Sequence, residues 1–331
     1  MFKYIVKRIL LAIIILLGVS IVLYILVRCM PTDYVDNKYQ SQIAQGTITE
    51  EQLQNIKRLY GIDRNDFWGI IGGYFKWLVN CLKGDLGYSF SGKKPVTEVI
   101  GSCMWTSFLI AFIALIFEFL IAIPLGVTAA THQYGTRDYI ITVLTMIGIS
   151  LPSFFFAALL IKIFGDGGLG WFPSGGQANA GSTGGNAFTD FFVNLQYYVL
   201  PIIALVGISV GSLMRYTRTN TLEVLNADYI RTARAKGLRE SKVIYKHAFR
   251  NTLIPLVTLL AGILPSLFSG AMIIEETFAI DGIGRVAYKA MNNGDIPLIM
   301  GYNMFLAVLS VLGTLLSDIM YVVVDPRVKL K

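Results

Sequence analysis

Charge is scarce in this chain. Only 15% of its 331 residues are Asp, Glu, Lys or Arg, against about 25% in an average soluble protein. With 54% hydrophobic residues beside it, that poverty excludes a disordered chain and argues against a soluble globular enzyme. Histidine and cysteine are scarcer still: His132 and His247, and Cys29, Cys81 and Cys103. They are too few and too scattered for a structural zinc site. An odd cysteine count excludes a framework that pairs every thiol. A Cys81–Cys103 bridge stays open beside the favoured reading of free, buried thiols.

What is present in quantity is apolar and comes in long blocks. Mean hydropathy is +0.60. About 20 apolar residues let a helix cross the hydrocarbon of a bilayer. Six stretches meet that length: Ile9–Val27, Met104–Ala130, Tyr139–Ile161, Phe191–Met214, Asn251–Ile274 and Ile296–Ser317. Pro152, Pro201, Pro255 and Pro265 interrupt four positions in them, which neighbouring helices can accommodate. The first stretch follows Lys3, Lys7 and Arg8 but has no small-x-small cleavage pattern after it, so it reads as a retained span. The expectation is an all-α, polytopic membrane protein with six transmembrane helices.

A seventh apolar stretch, Phe67–Leu82, is short, carries Lys76 and is rich in aromatics. That composition suits the membrane surface better than its interior. Charge supports the same count. With both termini cytoplasmic, the inner segments 1–8, 131–138, 215–250 and 325–331 hold three, one, nine and three Lys+Arg. The outer loops 165–190 and 275–295 hold none and two. A seventh span would turn the most basic segment outward, against the positive-inside rule. The region 31–101 is then extracytoplasmic, with eight basic and eight acidic residues between Met30 and Gly101. Within it, Thr49-x-x-Gln52 predicts a capped helix with Leu53, Ile56 and Leu59 on one face and Gly61 as its stop. The organisation is thus residues 1–30 as a first span, 31–101 outside, and 102–331 as a five-helix core.

Two segments imitate nucleotide sites. Gly87-Tyr-Ser-Phe-Ser-Gly92-Lys93-Lys94 nearly follows the phosphate-loop pattern, but Lys94 cannot supply the hydroxyl that the magnesium position needs, and Pro95 follows. Gly165-Asp-Gly167-Gly168-Leu-Gly170 has dinucleotide-loop spacing without a strand before it or a helix after it. It reads as part of a glycine-rich outer loop.

The segment 215–250 has nine basic and three acidic residues, a net +6 within a whole-chain +7. Asn226, Ile230, Ala233 and Gly237 fall on one helical stripe, where the small Ala233 and Gly237 let another surface approach, with Arg231 and Arg234 beside it. A basic juxtamembrane loop on anionic lipid is the alternative reading. The run Asp228-Tyr-Ile-Arg-Thr-Ala-Arg-Ala-Lys-Gly-Leu-Arg-Glu-Ser-Lys-Val-Ile-Tyr-Lys-His-Ala-Phe-Arg-Asn-Thr-Leu-Ile-Pro255 resembles the cytoplasmic loop of binding-protein-dependent ABC importer permeases. It is similar above all to the B-type permease of the oligopeptide/dipeptide/nickel branch. Lys83-Gly-Asp-Leu-Gly-Tyr-Ser-Phe90, Glu276-Thr-Phe-Ala-Ile-Asp-Gly-Ile-Gly-Arg285, Asp318-Ile-Met-Tyr321 and Asp325-Pro-Arg327 resemble further pieces of that branch. The general family loop reads Glu-Ala-Ala-x-x-x-Gly; here Arg231 and Thr232 stand first, and Ala233 and Gly237 match. Asp281 stands where the branch has proline.

The resemblance implies the type I ABC importer permease fold with an outer subdomain between helices 1 and 2. It implies an ATPase-coupling loop containing Asp228, Arg231, Ala233, Arg234, Gly237, His247 and Arg250. The implied partners are a second homologous permease subunit in a heterodimer, two cytoplasmic ABC ATPases, an extracytoplasmic peptide-binding protein and the lipid bilayer, with no nucleic acid. ATP and Mg would sit in the ATPases, and this chain would need no cofactor and perform no catalysis. The location implied is the bacterial plasma (inner) membrane, and the cargo oligopeptides or dipeptides, with a nickel or metallophore importer as the alternative. A secondary transporter driven by an ion gradient is the rival of another class; it calls for inverted repeats and several buried ionisable groups. Glu118, mid-span, is a pathway or interface candidate, with a structural hydrogen bond as its other reading. Glu275 and Glu276 could meet a peptide amino group or simply end a solvated helix.

Overall fold

The computed structural model describes residues 2–28, 34–59, 67–176 and 192–324. Gly61, Cys29 and the ending Asp325–Arg327 lie outside them. The described residues are helical, with one isolated antiparallel bridge, Tyr88–Pro95. The helices are α1 (Phe2–Arg28), α2 (Tyr34–Ala44), α3 (Glu50–Leu59), α4 (Phe67–Leu82), α5 (Val96–Thr131), α6 (Thr136–Ser150), α7 (Ser153–Phe164), α8 (Leu195–Leu225), α9 (Asp228–Ala235), α10 (Phe249–Ser269), α11 (Met272–Thr277), α12 (Ile283–Asn293) and α13 (Ile296–Val324). A single turn, Glu240–Lys242, and a π-helical stretch, Val243–Ala248, lead into α10.

Among the described residues four helices are long and apolar enough to cross a membrane: Lys7–Arg28, Val96–Thr131, Leu195–Leu225 and Ile296–Leu316. The α6–α7 pair makes a fifth if its two arms are one span. The chain is therefore a multi-pass membrane protein.

Three predicted spans differ in detail. Tyr139–Ile161 is two helices meeting at 101°. Leu151 is extended there (φ −78°, ψ 132°), because the ring of Pro152 disfavours helical backbone in the residue before it. The stretch 251–274 is cut at Gly270, whose φ of 73° no helix contains; α10 ends there and α11 begins at Met272. Helix α8 does not stop at Met214 but runs on to Leu225, into the basic segment.

The chain divides into two compact units. One comprises Met1–Trp105 and Gly282–Leu312. In it Tyr24 of α1 packs edge-on against Tyr74 of α4, with centroids 5.6 Å apart, and the Tyr74 hydroxyl lies 2.9 Å from Ser20 Oγ. At 16 residues α4 is about 24 Å long, short of the ~30 Å hydrocarbon core. The Thr49 capping box forms as predicted: Thr49 N–H donates to Gln52 Oε1 (3.0 Å) and Gln52 N–H to Thr49 Oγ1 (3.4 Å). Cys81 and Cys103 form no disulfide. Burial, then the nearby Asp85 charge, push the Cys81 thiol up to about 11, so it stays protonated and inert at neutral pH.

The second unit comprises Thr106–Asp281 and Gly313–Lys331. Its core is built from buried faces of α5, α7, α8, α10 and α11, including Ala122, Ala129, Ala157, Leu200, Met214 and Phe278. Helices α6 and α8 approach backbone to backbone. A Cβ on Gly148 would lie 2.7 Å from the Gly207 carbonyl oxygen, and one on Gly211 2.6 Å from that of Thr145. Small residues at such crossings are the membrane solution to helix packing, where apolar burial against lipid gives no net drive.

Candidate functional site

The basic segment folds into a helical corner with its own small core. Helix α8 ends at Asn226, Ala227 is extended (φ −71°, ψ 148°), and α9 restarts at Asp228, whose charge favours a helix N-terminus. The end is set by Gly237: its φ of 71° is left-handed, and its N–H donates to the Arg234 carbonyl at 2.9 Å. Asn226 and Gly237 therefore flank the helix rather than share its stripe. Ile230 and Ala233 face inward and pack with Val243, Ala248, Val224, Leu225 and Leu238. Ala233, predicted to offer a small outer face, is only 7% exposed. The surface that approaches it is the chain's own π-helical turn. Gly237 is exposed, with nothing within 4 Å of where a Cβ would stand.

The outward face carries the polar groups. Arg231 is exposed, 3.6 Å from Asp228. Arg234 reaches across the corner to Glu240, Nη2 to Oε1, at 2.7 Å. That contact holds the Glu240 carboxyl below the usual carboxylate range and raises the Arg234 guanidinium. His247 is half-buried in the π-helical stretch, and Arg250 is exposed on the first turn of α10. Tyr229 is tied down by Asn251, whose amide donates to its hydroxyl at 2.9 Å. A cavity of about 460 Å³ opens beside the corner, lined by residues including His132, Asn226, Arg234, Glu240 and Ile244.

The three carboxylates proposed for the pathway have different surroundings. Glu118 is half-buried on α5, its carboxyl within hydrogen-bonding reach of Ser209 on α8. Glu275 is 3% exposed and serves the fold: its Oε1 accepts from Ser107 Oγ at 2.7 Å and from the Ala271 N–H, at the head of α11, at 3.1 Å. Glu276 is exposed. Among the described residues no three His, Cys, Asp or Glu side chains gather as metal ligands would.

Both nucleotide-like loops have their donors engaged. In the first, Ser89 Oγ (2.7 Å), Ser91 N–H (2.8 Å) and Ser91 Oγ (2.6 Å) all donate to Oδ2 of Asp295, which is fully buried. The loop does cradle an anion, but the anion is the chain's own carboxylate. In the second, the N–H groups of Leu169, Gly170, Trp171 and Phe172 donate to carbonyls of Ile163, Phe164 and Gly165. They cap the end of α7 and are not free for a pyrophosphate.

One strong pair was not foreseen. Arg218 on α8 grips Asp138 on the first turn of α6 with both arms, Nε to Oδ1 and Nη2 to Oδ2, each at 2.8 Å. Asp138 also accepts from the Tyr134 N–H at 3.0 Å. An acid in a first helical turn was the only local sign of it.

Residues 122–330 match the family described as "Binding-protein-dependent transport system inner membrane component", and residues 1–111 match its N-terminal companion. The chain belongs to this family. It is a permease component of such transport systems. The oligopeptide transport system permease protein AppB of Bacillus subtilis is 36% identical over 330 residues, covering 99% of this chain and 100% of that protein. The dipeptide transport system permease protein DppB of Alkalihalophilus pseudofirmus is 32% identical, covering 99% and 100%. A putative peptide permease of Brucella ovis is 32% identical over 332 residues, covering 99% of each chain. Among solved structures, the inward-facing MetNI methionine ABC transporter matches with a TM-score of 0.50 at 17% identity, over 69% of this chain and 97% of that one. That likeness establishes a shared fold over the matched part of the chain.

Proposed function

We propose that this chain is one permease subunit of an ATP-driven importer of oligopeptides or dipeptides. The observation that carries the reading is end-to-end similarity to relatives named oligopeptide and dipeptide transport permeases. In this reading six spans cross a bacterial inner membrane with both ends inside, and a second, similar permease completes the pathway. Two ATPases dock from the cytoplasm and hold the ATP and Mg; a peptide-binding protein delivers cargo from outside. The geometry of α9 suits docking. Its apolar side is already buried in the chain, so Tyr229, Arg231, Thr232 and Lys236 are the groups left for a partner. A rigid corner at the end of the 31-residue α8 converts a push on α9 into a tilt of that helix, which is what alternating access requires.

The test is uptake by the complete complex in proteoliposomes. Uptake of a labelled oligopeptide that requires ATP and the binding protein is the expected result. Uptake by this chain alone under a proton gradient would overturn the reading in favour of a secondary transporter.

A further inference from the structure

We infer that Asp138 and Arg218 are a positioning pair that makes α6 follow α8, carrying movement of the α9 corner to the bend at Pro152. The inference rests on the importer reading above, because it concerns how that machine is coupled. Four observations place the pair on such a route. Helix α8 is unbroken from Leu195 to Leu225 and turns directly into α9, so displacement of α9 levers its near end. Arg218 lies two turns before that end and holds Asp138 in a two-armed, 2.8 Å contact, with the Asp138 side chain 7% exposed. A fork-to-fork contact resists sliding and rotation as well as separation, which a single contact does not. Further along, the same two helices touch backbone to backbone at Gly148–Gly207 and Gly211–Thr145. Helix α6 then ends at Leu151, where the chain turns by 101° into α7.

The pair and the two glycine crossings thus fasten α6 to α8 at three levels, and the first loose joint past them is the bend. Without the ion pair, α6 keeps its glycine crossings but loses its two-armed tie to α8 near its start. Its near end is then free to lag when α8 tilts, and the bend receives less of the movement. A merely structural pair would matter for folding alone and would leave the yield of transport per ATP untouched.

The experiment uses the assembled complex in proteoliposomes and reads peptide imported per ATP hydrolysed. Asp138→Asn and Arg218→Gln are each expected to lower that ratio roughly tenfold while the ATPases continue to turn over. The exchanged pair, Asp138→Arg with Arg218→Asp, is expected to recover a large part of it. An unchanged ratio in assembled single variants overturns the inference, as does a swap no better than either single. Should the single variants fail to assemble, spin labels at Ile147 and Thr219 in the otherwise native complex decide. Their separation is expected to stay constant between nucleotide-free and trapped states, and a change in it overturns the inference. Loss of ATP-dependent uptake in the native complex would instead count against the importer reading itself.

Discussion

Gly237 holds a left-handed backbone on an exposed corner where no neighbour obstructs a side chain. The penalty for replacing it is therefore backbone strain alone. Gly237→Ala should loosen the α9 corner by about 1 kcal/mol, read as roughly fivefold faster amide exchange over Ile230–Ala235. Asn, which tolerates this backbone better, should lose less. Gly237→Glu adds an acid to a basic face and should lower uptake per ATP without removing the protein from the membrane; native uptake in that variant would refute a docking role. The Arg234–Glu240 pair sets the corner's response to acid. Because Arg234 depresses the Glu240 pKa, the pair's contribution is complete above the ordinary glutamate value of about 4.3 and fades as pH falls through the lowered one. Both side chains are well exposed and screened, so the effect is small, about 0.2–1 kcal/mol. Corner protection, corrected for intrinsic exchange, should be flat from neutrality to mildly acidic pH and weaken below. Glu240→Gln should remove that acid limb.

At the scale of elements, the local signals were legible and the distant pairings were not. The Thr49–Gln52 box needs only residues three apart, and apolar length alone exposed the long helices. The buried stripe of α9 was visible as Ile230 and Ala233 at helical spacing. Which way it faced was not, because spacing defines a face without naming what covers it. Nor could the sequence join Ser91 to Asp295, 204 positions away, or Arg218 to Asp138, 80 positions away. The Asp295 cradle makes a prediction of its own. Asp295→Ala leaves the buried Ser89 hydroxyl, and the Ser91 hydroxyl and N–H, without their acceptor, a loss of about 1–3 kcal/mol. The turn should open, and trypsin should cut after the exposed Lys93 faster than in the native chain. Asp295→Asn, which keeps an acceptor oxygen, should fall between. Equal cleavage in all three would show that the cradle does not hold the turn.

For the whole molecule the distribution of charge matters more than its sum. Nearly all of the +7 surplus equals the +6 of residues 215–250, and the structure folds that segment into a compact corner rather than leaving it as a loose basic tail. Positive residues resist transfer across the bilayer, so this corner is expected to stay on the cytoplasmic side and to orient the spans on either side of it. One crossing, α8, separates it from the loop after α7. Tyr245, in the corner, and Trp171, in that loop, are each 66% exposed. The two positions should therefore be reachable from opposite sides. With Cys29, Cys81 and Cys103 replaced by Ala, Trp171→Cys should react with an impermeant maleimide in intact cells. Tyr245→Cys should react only in inverted vesicles. Labelling of both from the same side would break the topology, and with it the placement of the docking face in the cytoplasm.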